Sequence, residues 1–195
     1  MKNHILHLLL FFLLVDIGAS AQQYKKDAEK QFLHYSNLVI KKDFRSASDF
    51  IIEDLFSIVP KEQMITAMEK VFNLPGFDFF IDSPQVLQVG DSRKVDSALF
   101  LKLKYSNILR MKFDTSTDAT QPDSSQAESE LLTMTLQSKF GEENVTYNKE
   151  TGYYSIYSVK DVIAKSTDLK DWKFIVMEED KMPFLKKLVP KEFLE

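Results

Sequence analysis

Asp78 and Asp82 stand four residues apart in "FDFFID", with Phe80 between them. In an extended strand all three side chains share one face. Two carboxylates beside an aromatic ring could do acid–base work if one of them is buried enough to change its proton affinity. The other acidic pairs and runs are Glu53-Asp54, Glu142-Glu143 and Glu178-Glu179-Asp180, the last of which reads as a solvated turn. Nucleophilic and metal chemistry have little to draw on. The chain has no cysteine, and its three histidines are His4, His7 and His34. A Cys/His zinc site is thereby excluded, and a hydrolase-type triad would have to be built on His34, which sits between Leu33 and Tyr35 on a helix with no nucleophile motif around it. Five glycines supply no phosphate-cradling loop, and no spacing of Asp and Asn forms a calcium loop. No catalytic residue, metal ligand or cofactor is assigned.

Four tyrosines, Tyr147, Tyr153, Tyr154 and Tyr157, crowd "YNKETGYYSIYSV". Asn148 to Gly152 is turn chemistry between strand-forming flanks, so the stretch reads as a β-hairpin. Tyr153 and Tyr157 then share one face with Ser155, while Tyr154 and Ile156 share the other. The tyrosines pack across the ladder, and Tyr154 or Tyr157 could reach a pocket mouth, where a ring carrying a hydroxyl suits ligand capture. Asn144-Val145-Thr146 is a formal glycosylation sequon.

The N-terminus bears on compartment. Lys2 precedes an apolar run from Ile5 to Val15, and Ala19-Ser20-Ala21 is a small-residue cleavage pattern. This is the signature of a secretory signal peptide over residues 1–21, and the apolar run is too short to span a bilayer. The expectation is an exported, periplasmic or extracellular chain starting at Gln22, with no stable membrane insertion. Without cysteine it must be held together by an ordinary core. A net charge of −4 and just three arginines, Arg45, Arg93 and Arg110, argue against nucleic acid as a partner.

The elements that must position these residues follow from periodicity. Residues 24–41 form an amphipathic helix with Ala28, Phe32, Tyr35 and Val39 on one stripe. Asp43 caps a second helix reaching Leu55. Pro60 opens a third helix, whose buried face is Ile65, Met68, Val71 and Phe72, ended by Asn73 to Gly76. The period then changes to two. Phe77, Phe79 and Ile81 alternate with Asp78, Phe80 and Asp82; Leu99, Leu101 and Leu103 alternate with Phe100, Lys102 and Lys104; Leu109, Met111 and Phe113 alternate with Arg110 and Lys112. These read as three strands covered on one face, with Ser106-Asn107 the turn between the second and third. Residues 114–126 are polar and read as a mobile loop. A helix from Ala127 to Phe140 uses Leu131, Leu132, Met134 and Leu136, and strands follow at 144–147, 153–165 and 172–177. Met182 to Leu188 forms a closing helix.

Helices first and antiparallel strands afterwards make one α+β domain over 22–195, with helices packed on a curved antiparallel sheet and a helical insertion before the last strands. In this order of elements, and in "KKDFRSASDFIIEDLF", "PKEQMITAMEKVF", "FGEENVTYNKETGYYSIYSVKDVIA" and "DWKFIV…FLKKLVPKEFL", the chain resembles exported Bacteroidetes-type members of the nuclear transport factor 2-like superfamily. The resemblance implies a cone-shaped fold with a pocket between helices and sheet, and homodimerisation through the sheet is common among such proteins. Its enzymes, the steroid isomerases and polyketide cyclases, carry an acid, histidine or tyrosine in that pocket, and no such motif matches here residue by residue. The leading expectation is an exported, non-catalytic protein that binds a small apolar or amphipathic molecule, with Tyr35, Asp78, Phe80, Asp82, Tyr154 and Tyr157 as candidate ligand-binding residues. The alternatives are a cell-envelope protein-interaction module, and a lyase or isomerase using Asp78 or Asp82.

Overall fold

A computed structural model of the chain describes residues 23–114, 122–178 and 182–194. Residues 1–21, read as a signal peptide, lie outside them.

Helix α1 spans 23–40 and turns Ala28 and Phe32 into the core. Asp43 caps the next helix as its sequence requires, its carboxylate accepting from the Ser46 amide, but that helix, α2, runs only Phe44–Ser48. The chain does not continue helical to Leu55. Ile51 instead bridges in parallel to Phe174, and a short 3-10 turn follows over Glu53–Ser57. The edge of the sheet offers Ile51 and Ile52 backbone partners and burial that a longer surface helix would not. Helix α3, Lys61–Phe72, begins after Pro60. Ile65 is buried, whereas Val71, expected on the same face, is 52% exposed.

The sheet comprises β1 (Phe77–Val89), β2 (Arg93–Val95), β3 (Ala98–Phe113), β4 (Val145–Asn148), β5 (Tyr153–Ser166) and β6 (Lys173–Val176). All its pairings are antiparallel, and the sheet is curved. Strands β3 and β5 form the centre; β1 and β2 share one flank of β3, and β4 and β6 share the far flank of β5. The main correction concerns β3. Ser106 and Asn107 are not a turn but the buried middle of one 16-residue strand. The phase explains it: Leu101, Leu103, Tyr105, Asn107, Leu109 and Met111 stay in step on one face, which a turn would have broken.

Strand β1 departs from regularity twice. Ser83 and Pro84 together face Asn107, because Asp82 pairs with Ile108 while Gln85 pairs with Ser106, and Leu87 is a second extra residue. Ser83 takes a left-handed φ of 51°. Such bulges bend a strand, and proline is tolerated there since no ladder donor is lost.

Helix α4 spans Pro122–Phe140, so residues 122–126, read as part of a loop, are helical, while 115–121 lie outside the described residues. Of its apolar positions Leu136 is buried, and Leu131 and Met134 face outward. The hairpin of β4 and β5 forms as expected, with Asn148 Oδ1 accepting from the amides of Glu150 and Thr151. Helix α5 spans Met182–Leu185, shorter than the expected 182–188.

The face bearing Leu101, Leu103 and Tyr105 packs on α1, and the face continues to Met111, Tyr154 and Ile156 beneath α4. The opposite face is not open throughout. Phe100, Ile163 and Ile175 lie under Leu185, Val189 and Phe193 of the C-terminal segment. At the β2/β6 end the sheet is therefore sandwiched, and only its other end has one face uncovered.

Candidate functional site

Between the zone of the sheet covered by α1 and the zone covered by α4 lies a recess of about 430 Å³. Its floor is Phe79, Ile81, Tyr105, Asn107 and Leu109; α1 supplies Phe32 and Tyr35, and α3 supplies Met64 and Met68. The bulge at Ser83–Pro84 sits at the same level, and Pro84 itself lines the recess. Such a bulge bends β1 at the level of the recess. The volume falls in the lower part of the roughly 300–1,000 Å³ span of small-molecule sites.

The walls are mostly apolar, and the polar groups gather at one end. Tyr105 pairs with Lys160 across β3 and β5, and Asn107 is its next neighbour on the same face. Lys160 Nζ bonds Glu178 Oε1 at 2.9 Å. Burial pushes the Tyr35 hydroxyl up to about 12. It also raises Tyr105, with Tyr35 and Glu178 adding to the effect, which places these three groups close together. Asn107 is 6% exposed, and its Oδ1 is buried with no hydrogen-bond partner among the described residues. Buried polar atoms are nearly always paired, so this one stands out.

The residues singled out from sequence do not converge on this recess. Tyr35 lines it, stacked against Phe174 with ring centroids 6.2 Å apart. Tyr154 is buried under α4, where its hydroxyl donates to the Ser129 carbonyl at 3.0 Å and lies 3.1 Å from Thr133 Oγ1. Asp78, Phe80, Asp82 and Tyr157 lie on the opposite, uncovered face. There Asp82 pairs with Arg110 Nε at 2.9 Å, and Asp78 accepts from the Tyr153 hydroxyl at 2.9 Å. Phe80, Asp82, Ile108, Arg110 and Tyr153 line a groove of about 650 Å³. None of its lining residues is buried, so although larger it offers a ligand less desolvation than the recess. His34 is exposed and packs edge-on against Phe50.

Asn107, Lys160 and Glu178 were missed by sequence reasoning. The signal was available for Asn107: an amide in phase with an apolar stripe is a polar group aimed at the covered face. Lys160 and Glu178 come together only through strand pairing. Among the described residues no group of three or more His, Asp or Glu side chains is placed to hold a metal, and no helix is long and apolar enough to cross a membrane. No protein-family model matches the chain, and no curated protein matches it.

Proposed function

We propose that this chain is an exported binding protein that holds a small apolar or amphipathic molecule in the recess between α1, α3 and the sheet. The observation that carries this reading is the apolar-walled recess of about 430 Å³ between α1, α3 and the sheet, with Tyr105, Lys160 and Glu178 at one end. The bulged, curved sheet under N-terminal helices is also what the cone of the nuclear transport factor 2-like superfamily would require. The leader-like residues 1–21 support export to the periplasm or medium.

Native mass spectrometry of the protein isolated from its host's envelope fraction tests the reading. A reproducible added mass of small-molecule size is expected, together with fluorescence enhancement of 1-aminoanthracene that Met68→Trp, which fills the recess, abolishes. A bare chain with no probe binding would sink it.

A second reading, an envelope interaction module, draws on the uncovered face, where Phe80 and Tyr157 are 45% and 46% exposed. Recovery of the protein with a bound partner that Phe80→Ser releases would favour it. A lyase or isomerase working through Asp78 or Asp82 would need one of them in the recess. Asp78 and Asp82 lie on the other face, and Glu178 is engaged by Lys160.

A further inference from the structure

The uncovered face of the sheet carries residues that the recess does not use. Read across β1, β3 and β5, its central rows are Phe80, Arg110 and Ser155, then Asp82, Ile108 and Tyr157. Asn148 and Thr151 of the hairpin turn join Phe80, Asp82 and Arg110 in lining the groove on this face. Phe80 is tilted against Tyr153 with ring centroids 6.2 Å apart. Lys112 Nζ lies 5.6 Å over the Tyr153 ring, so Phe80, an exposed residue, is the aromatic surface left open in the groove. Polar atoms flank it. Arg110 contacts Asp82 Oδ2 through Nε, and Asp78 Oδ2 accepts from Tyr153. A guanidinium has more N–H donors, and a carboxylate more acceptor sites, than one such contact uses. Asn148 accepts the turn amides through Oδ1, which leaves its amide hydrogens to donate.

These features sort the occupants. An extended peptide cannot add a strand here, because the floor belongs to β3 and β5, whose ladders are made on both sides. A folded partner would bury the Asp82–Arg110 pair at the middle of its contact, where interfaces are depleted of charge. The charges of Asp78, Asp82, Arg110 and Lys112 cancel, so an ionic ligand meets no net attraction. What fits is a neutral molecule with an apolar face for the Phe80 ring and hydroxyls around its edge for the flanking pairs. A pyranose ring has that form. The exposure of the groove, which counts against an apolar ligand, suits one that keeps most of its hydration and exchanges some water for protein hydrogen bonds. We infer that the uncovered face holds a second binding site, independent of the recess, for a sugar residue of a neutral glycan stacked on Phe80 and hydrogen-bonded to Arg110, Asp82 and Asn148.

Calorimetric titration of the protein as isolated from cells with maltohexaose, cellohexaose, mannohexaose and hexagalacturonic acid tests this assignment. At least one of the neutral oligosaccharides should bind, and more tightly than the acidic one. Phe80→Ala and Asp82→Asn should each weaken that binding by about tenfold, with thermal unfolding close to that of the parent because neither side chain is buried. Met68→Trp, which fills the recess, should leave sugar binding unchanged while abolishing 1-aminoanthracene fluorescence. Binding of none of the neutral oligosaccharides, tighter binding of hexagalacturonic acid, or affinity indifferent to both Phe80→Ala and Asp82→Asn overturns the inference and leaves the recess reading standing. Sugar binding that Met68→Trp abolishes, or a protein partner released by Phe80→Ser in place of any sugar, overturns it as well.

Discussion

Asn107 Oδ1 has a consequence that needs no ligand to observe. A buried acceptor without a donor costs about 1–3 kcal/mol, so Asn107→Leu should stabilise the empty protein by roughly 1 kcal/mol or more, seen as a higher urea midpoint. A loss of stability would mean that the amide has a structural partner. Tyr35 supplies a second test. Its folded proton affinity is raised to about 12, whereas tyrosines of an unfolded chain titrate near 10. Its contribution to stability is therefore complete below pH 10 and is lost as pH rises toward about 12. The unfolded chain sheds its proton first, at up to about 1.4 kcal/mol per pH unit. Tyr35→Phe should reduce the alkaline slope of unfolding free energy by about one proton, leaving the slope due to Tyr105, which runs in the same direction.

At the scale of elements, the hairpin and the α4 cover are the parts most open to test. Gly152 closes the β4–β5 turn with φ of 74°, and a Cβ there would meet Lys112 Cε at 3.3 Å. Gly152→Ala should cost about 1 kcal/mol or more through the left-handed backbone, measurable by thermal unfolding. Tyr154 ties α4 to the sheet through Ser129 and Thr133. Tyr154→Phe keeps the packed ring and removes those bonds, so about 1 kcal/mol should be lost, with amide exchange accelerating across 129–140 while β3 stays protected. Uniform acceleration in both would contradict that division. Most of these elements were legible from sequence, because α1, α3 and the hairpin each carry their own periodicity or turn residues. The second helix was not, since Ile51 and Ile52 satisfy both a helix pattern and a strand edge, and only the presence of β6 decides between them.

Across the whole molecule, the sheet is covered on both faces at one end and on one face at the other. Phe193 sits 5.9 Å, ring to ring, from Phe100 and is buried at the far end of the chain. Phe193→Ala should lower the unfolding free energy by about 3 kcal/mol and shift the urea midpoint accordingly. A change below about 0.5 kcal/mol, the range of an ordinary surface substitution, would mean that the C-terminal segment does not stay on the sheet. The one-sided sheet expected from Leu99, Leu101 and Leu103 omitted this layer. Lys102 and Lys104 made that face look solvated, although Phe100 and Ile163 were already apolar residues on it.

The sequence alone determined the mixed helix-and-sheet class, the helices α1, α3 and α4, the turn of the β4–β5 hairpin and the opposite faces of Tyr154 and Tyr157. All of these follow from local period and turn chemistry, which act over a few residues. It also excluded cysteine chemistry by composition. Only the tertiary structure decided that Lys160 and Glu178 close one end of a recess, and where on the sheet that recess lies. Those relations depend on strand pairing, on a bulge opposite one residue, and on which helix covers which part of the sheet. They are contacts between residues far apart in the chain, and local periodicity carries no record of them.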